Sequence, residues 1–356
     1  MTEKKATITE VAQLAGVSAA TVSRVLSGGS ASPDARRKVE AAVSALNYEP
    51  PMPARKKDAG QKSSLALVIS DLTNPYYAAM CAGAEEAARR AGFSLLLYQT
   101  ALTGRAEPDI AEKVAAMPVT GAVLVGSAVE SGGAQTIRDR LCYIADRMPI
   151  VTIGPRVEGV RCVNITSDLS LSVRKSIGHL TALGHRRISF IGGSGGIRSS
   201  SARRRAYYEE MERLGLPADR EMGTDAGFTP QAGETCVNRI LSACKKADRP
   251  TAFIAINDLV ALGALRQLTR MGLRVPEDIA LIGCDNQFFT PFLDPPLTTV
   301  DLHPFDHGVS AVNELISAIG GGDAAYSQIR ECSLIVRESC GALLGVRDLT
   351  HAGEDL

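Results

Sequence analysis

Apolar positions along this chain keep one period at its start and another beyond it. In the opening stretch they recur at i, i+3 and i+4: Val11, Leu14 and Ala15, then Val22, Val25 and Leu26, then Val39, Ala42, Val43 and Leu46. That spacing predicts three short amphipathic helices, each with one apolar edge. From Leu65 onward the apolar residues come in unbroken runs: LALVIS, SLLLY, GAVLVG and PIVTIG, then VNIT, RISFIGG, AFIAI and ALIGC. Helical stretches fall between them, through Ala78–Ala91, up to His179 and around Tyr207. Continuous apolar strands alternating with helices predict parallel sheets in two sets, divided near residues 161–163. No run approaches the roughly 18 consecutive apolar residues of a membrane span.

The polar punctuation sharpens the first part. Thr7 and Glu10 have capping-box spacing, and Gly16 ends the first helix where a positive φ is wanted. Ser18 caps the second helix after a turn of a few residues, and Ser32-Pro33 opens the third. Three such helices, the first two joined by a glycine turn, make a helix-turn-helix head. With Val22, Val25 and Leu26 turned inward, Ser18, Ala19, Ala20, Thr21, Ser23 and Arg24 face out. An ordinary solvated face would carry more Glu and Lys. Slim residues at a helix N-terminus fit a major groove, hydroxyls hold phosphate oxygens, and an arginine reaches guanine O6 and N7.

Composition changes this picture through its distribution. Net charge over 356 residues is zero, yet residues 1–62 hold ten Lys/Arg against six Asp/Glu, and the remainder 29 against 33. A head of +4 therefore precedes a body of −4, and only the head is expected to meet a polyanion. With 45% hydrophobic and 22% charged residues the chain reads as an ordinary globular protein of two or three compact units. The opening MTEKKATITE holds no apolar run fit for a signal peptide. The eight cysteines show no CxxC or zinc spacing, so reduced thiols in a cytoplasm are expected.

Catalytic and metal chemistry find no footing. GGSGG is not followed by Gly-Lys-Ser/Thr and lacks a distal acid, so it reads as a loop and not a phosphate cradle. His303 and His307 are four apart, but Pro304 interrupts any helix that would align them on a metal. No serine or cysteine has a nucleophile signature and no acid pair is set for proton transfer. Neither an enzyme nor a cofactor is expected.

TITEVAQLAGVSAATVSRVLSG, followed by ARRKVEAAVSALNYEP, resembles the head of a lactose/galactose-repressor (LacI/GalR) family regulator. The fragments SLALVISDLTNPYYAAMCAGAEEAARRAGFSLLLYQT, LTALGHRRISFIGG, FIAINDLVALGALRQL, LIGCDN, DPPLTTV and LIVRES fall in that family's order and spacing. The resemblance covers nearly the whole chain. It implies an N-terminal all-α helix-turn-helix head plus an α/β two-lobed effector domain of the type I periplasmic-binding-protein kind. The implied divisions are a DNA-binding head at 1–49, a basic linker at 50–62, an effector domain at 63–345 and a tail at 346–356. Because the chain recrosses near 295–303 and near 330, lobe 1 takes about 63–161 and 303–329, and lobe 2 about 162–300 and 331–345.

The same resemblance assigns roles. Ala19, Ala20 and Arg24 read bases, while Thr7, Ser18, Thr21 and Ser23 lie near phosphates. Two alanines offer only methyl contact, so Arg24 carries the hydrogen-bonded discrimination. The linker departs from the family pattern: Ala54 fits a hinge helix, but Lys57 stands where a leucine wedges into the minor groove. A lysine cannot wedge, so Arg55 and Lys57 are expected to bind DNA by charge. Effector contacts fall on Tyr76, Tyr77, Asp168, Ser200, Arg204, Phe228, Asn257 and Asp285. Carboxylates and an amide that accept from hydroxyls, a guanidinium that donates and aromatic walls together suit a sugar ring. Asp258 is equally placed to cap a helix.

The expected protein is thus a cytoplasmic regulator of the repressor kind. As a homodimer it would bind a near-palindromic double-stranded operator and answer to a sugar-like effector. The tail CGALLGVRDLTHAGEDL has no leucine heptad, so a dimer and not a tetramer is expected. A transporter's sugar receptor shares the body fold but has no use for a helix-turn-helix.

Overall fold

The computed structural model describes residues 8–26, 32–46, 64–100, 107–218, 226–322 and 325–342. They fall in two compact units, Met1–Gly60 and Gln61–Leu356. The first unit holds α1 (Ile8–Ala15), α2 (Ala19–Leu26) and α3 (Pro33–Ala45). Gly16 turns the chain between α1 and α2 at φ +65°, a conformation that strains any side chain. Val11, Val22 and Val39 are wholly buried, with Ala12, Ala15 and Val25 around them. Leu14, expected on the buried stripe, is 56% exposed, and Ala12 takes its place.

The second unit alternates strands and helices. It begins with β1 (Ser64–Ile69), α4 (Pro75–Arg90), β2 (Ser94–Gln99), α5 (Ile110–Ala115), β3 (Gly121–Val125) and α6 (Ser127–Glu130). Next come α7 (Ala134–Ala145), β4 (Ile150–Ile153), β5 (Val163–Ser167), α8 (Leu169–Ala182), β6 (Ile188–Ile191) and α9 (Arg198–Arg213). Then follow α10 (Pro230–Ala243), β7 (Ala252–Ala255), α11 (Asp258–Arg270), β8 (Ala280–Cys284) and β9 (Thr298–Asp301). The last elements are α12 (Pro304–Ile319), β10 (Ser327–Arg330) and β11 (Ser333–Ile335).

Two sheets result. The first runs β10-β5-β4-β3-β1-β2, parallel throughout; the second runs β11-β9-β8-β7-β6, parallel except where β11 meets β9. Alternate residues of the first sheet serve opposite cores, as the two-residue period of a strand requires. Leu65 and Leu67 pack with α4 and α12, while Ala66 and Val68 pack with α5 and α7. The second lobe has one core spanning both faces of its sheet, with Phe253 fully buried at its centre.

The expected division near 161–163 needs correction. VNIT, read as the first strand of the second set, is β5, and it pairs with β4 and β10 in the first sheet. The chain therefore first crosses between lobes after Ser167, and again at Leu302 and between β10 and β11. These crossings are bonded together: the Asp168 amide donates to the Arg330 carbonyl (3.1 Å), and Ser167 Oγ donates to the Leu302 carbonyl (3.3 Å).

Each lobe seats one helix pair backbone to backbone. A Cβ at Gly83 of α4 would lie 2.0 Å from the Phe305 carbonyl oxygen of α12, and one at Gly308 of α12 2.1 Å from that of Met80. In the second lobe a Cβ at Gly263 of α11 would meet the Pro230 oxygen at 1.7 Å. Only glycine permits these approaches.

Candidate functional site

The head presents the N-terminus of α2. Ser18 Oγ accepts from the Thr21 amide (3.1 Å) and pairs with Thr21 Oγ1 (2.9 Å), while Val22 and Val25 anchor the helix from below. Ser18 and Ala19 are exposed, so a hydroxyl and a methyl flank the helix end. Thr7 and the linker residues Ala54, Arg55 and Lys57 lie outside the described residues, as do the side chains of Ala20, Ser23 and Arg24. The tail from residue 343 lies outside them too.

In the second unit a cavity of about 1230 Å³ opens between the two lobes, outside the carboxyl ends of the strands. Local sequence explains how each lobe supplies it. Asn74 caps α4 by accepting from the Tyr76 amide (3.0 Å), with Pro75 at the first helical position, which sets Tyr76 and Tyr77 on the cavity wall. Their rings meet edge to face at 5.5 Å. Burial holds both phenols well above their ordinary range, so they are neutral donors. From the second lobe come Phe228, Asn257 and Asp285. Asn257 caps α11, accepting from the Val260 amide (2.8 Å) and donating to the Phe228 carbonyl (3.0 Å). It thereby fixes the segment that carries Phe228.

Asp285 ends β8 at φ +110°, a strained conformation that must be held from outside. Behind it Asp258, fully buried, accepts from the Gln287 amide (2.8 Å) and the Thr299 hydroxyl (2.6 Å). Arg337 donates to Asn286 Oδ1 (2.8 Å) and to the Leu297 carbonyl (2.7 Å), and Asn286 donates to Asp301 (3.0 Å). Burial pushes the Asp285 carboxyl up to about 7, against the pull of the Arg203 charge. Burial, joined by the charge of Asp285, also holds Asp258 well above the ordinary carboxylate range.

Three expected effector contacts do not line this cavity. Arg203 does so in place of Arg204: it is buried, donates to the Ile256 carbonyl (2.6 Å) and faces the charge of Asp285. Adjacent helical residues point about 100° apart, so Arg204 of α9 is aimed elsewhere. Asp168 caps α8, accepting from the Leu171 amide (2.7 Å). Ser200 is fully buried and accepts from the Ser194 amide (2.9 Å), which orders the GGSGG loop. Residue pattern alone does not mark Arg203, Arg337 or Glu130, the last of which also lines the cavity. Among the described residues no cluster of three or more His, Cys, Asp or Glu is placed to hold a metal. None of the described helices is long and apolar enough to cross a membrane.

Comparison with known proteins completes the description. Residues 7–51 match the model of the bacterial regulatory proteins, lacI family, and residues 177–340 match a periplasmic binding protein-like domain. The chain is 30% identical to the HTH-type transcriptional repressor PurR of Haemophilus influenzae (strain PittEE), across 95% of this chain and 100% of that one. It is 28% identical to the HTH-type transcriptional repressor CytR of Escherichia coli (strain K12), across 96% and 98%. Among solved structures it resembles the lac repressor dimer bound to operator and the anti-inducer ONPF, with TM-score 0.70 and 25% identity across 95% and 99%. It also resembles the transcriptional regulator CelR–cellobiose complex, with TM-score 0.68 and 28% identity across 94% and 100%. These relatives are regulators and not enzymes.

Proposed function

The chain belongs to the lacI family of bacterial regulatory proteins, and from that premise we propose a cytoplasmic transcriptional repressor that binds operator DNA through its first unit and a small effector in the cleft of its second. The observation that carries this reading is one chain joining a hydroxyl-capped, slim-faced α2 to a two-lobed body with a polar, aromatic-walled cleft. Ser18, Ala19, Ala20, Thr21, Ser23 and Arg24 meet the major groove, with Arg24 reading a base and the hydroxyls holding phosphates. Thr7, Arg55 and Lys57 add phosphate contacts, and Ala54 meets the DNA from the hinge position of the linker.

The effector is a sugar or a sugar derivative. Asp285 accepts from its hydroxyls, Arg203 faces it, and Tyr76, Tyr77 and Phe228 wall it. The repressor acts as a homodimer on a near-palindromic site. Supporting a second copy, a groove of about 590 Å³ is lined by Leu72, Phe288 and Phe305, and the Phe288 ring is 76% exposed. Mobility shifts with DNA from upstream of the protein's own gene, with random-sequence competitor, test the DNA-binding half. Loss of the shift to tenfold random DNA would remove it. A thermal-shift screen of monosaccharides, disaccharides, sugar acids and nucleosides tests the other half, because a true effector raises apparent stability by mass action.

A further inference from the structure

The cavity mouth is tied by bonds that run directly from lobe to lobe. Glu130, the last residue of α6 in the first lobe, reaches across to accept from the Ser199 amide (2.9 Å) in the first turn of α9. The N-cap of α9 is Ile197, whose side chain has no capping group, so this helix takes its cap from the other lobe. Arg198 answers in the opposite direction, donating to the carbonyls of Pro155 (2.9 Å) and Arg156 (2.6 Å) in the first lobe. Ser131 and Ile197 form an isolated antiparallel bridge between the same two segments.

We propose that Glu130 and Arg198 form a reciprocal latch that holds the lobes together through protein contacts alone, and so sets how much closure an effector must supply. The consequence for the effector rests on the cleft reading above; the latch itself does not. Both charged groups meet partners only when the lobes are docked, and charge-assisted bonds of this kind are about twice as strong as neutral ones. Burial raises the Glu130 carboxyl, and the bonds from Ser199 and the charges of Arg203 and Arg198 oppose that. Opening strands the first-turn amides of α9.

Hydrogen exchange of the full-length protein, with no small molecule added, tests it. The Ser199 amide has no acceptor within its own helix, so its protection reports lobe contact. Arg198→Ala leaves Glu130 in place, and it should speed exchange at Ser199 by at least about fivefold while the Phe253 and Ile254 amides keep their wild-type rates. Arg198→Gln should do the same, and X-ray scattering of Glu130→Ala/Arg198→Ala should give a larger radius of gyration. Exchange at Ser199 unchanged in both Arg198 variants would overturn the latch, even if a compound from the screen stabilises the wild type. Faster exchange with no stabilising compound in the screen would sustain the latch and sink the effector reading alone.

Discussion

Raising the pH from 6 to 8 should tighten effector binding about tenfold, and Asp285→Asn should abolish that dependence. The carboxyl of Asp285 is pushed up to about 7 by burial, with the nearby Arg203 charge pulling it down and Asp301 adding to the rise. Hydroxyl donors need the ionised form, which accounts for about one-eleventh of the molecules at pH 6 and ten-elevenths at pH 8. The same shift predicts a stability slope. A carboxyl whose folded value lies above its unfolded value of 3.8 stabilises the fold at low pH, and that contribution is lost as pH rises to about 7. It amounts to on the order of 4 kcal/mol across the window and is flat above it. His307, which burial and the Arg330 charge depress to about 4, keeps one protonation state between pH 6 and 8 in the folded protein and so leaves the binding slope alone. Its own contribution to stability grows as pH rises from about 4 to 6.5 and opposes that of Asp285, so the stability slope is read as the difference between wild type and Asp285→Asn. Asp258, whose carboxyl is also raised, is why Asp285→Asn is the control. The assay is calorimetric titration at pH 6, 7 and 8 with the compound giving the largest thermal shift. Equal affinity at pH 6 and 8 in the wild type, or a slope that persists in Asp285→Asn, refutes the reasoning.

Neighbouring arginines should behave oppositely. Arg203→Ala leaves the Ile256 carbonyl unpaired, costing about 1–3 kcal/mol, and should lose the response of a preformed operator complex to effector, while Arg204→Ala should respond at wild-type concentrations. Gly263→Ala drives a Cβ to 1.7 Å from the Pro230 oxygen, so it should destabilise by more than the roughly 1–3 kcal/mol of ordinary overpacking, read by urea denaturation. Gly178→Ala, where a Cβ meets nothing within 4 Å, should instead stabilise α8 by up to about 1 kcal/mol in the same measurement. Arg24→Ala should relax operator discrimination by about 1–3 kcal/mol per half-site, and binding-site selection that returns an unchanged consensus would assign the reading elsewhere.

What the chain reveals locally and what it hides separate on physical lines. Periodicity and caps locate helices because both act within one or two turns: Ser18, Asn74 and Asn257 each sit at the helix starts that they cap. Sheet membership is not local. The run VNIT is an apolar strand in either lobe, and its partners β4 and β10 are what place it in the first sheet. Helical periodicity alone does not choose between Arg203 and Arg204. Ser199 and Ala206 stand four before and three after Arg203, and buried Ser200 and Tyr207 stand at the same spacings from Arg204, so the pairing with the Ile256 carbonyl across the lobe decides it. The latch is no more local, since Glu130 and Ser199 are sixty-nine residues apart and meet only when two lobes dock.

That division bears on how the cleft is wired. Asp285 is bonded into the strand that leads to the second crossing: its amide donates to the Val300 carbonyl (2.7 Å), and Asn286 bonds Asp301. Asp301 in turn accepts from the His303 amide (2.7 Å), which holds His303 at φ +55° at the head of α12. Leu302, between them, accepts from Ser167 at the first crossing, and Ser167 meets the buried His307 at 3.3 Å. A group bound at Asp285 therefore touches a bonded chain that ends on the hinge, whereas Glu130 and Arg198 tie segments far from it in sequence. An effector changes the balance of open and closed forms only by the difference in its contacts between them. On the cleft reading, Tyr76 of the first lobe and Asp285 of the second are joined by a ligand only when the lobes are closed. Those two residues are where that difference arises, and the latch sets the equilibrium against which it works.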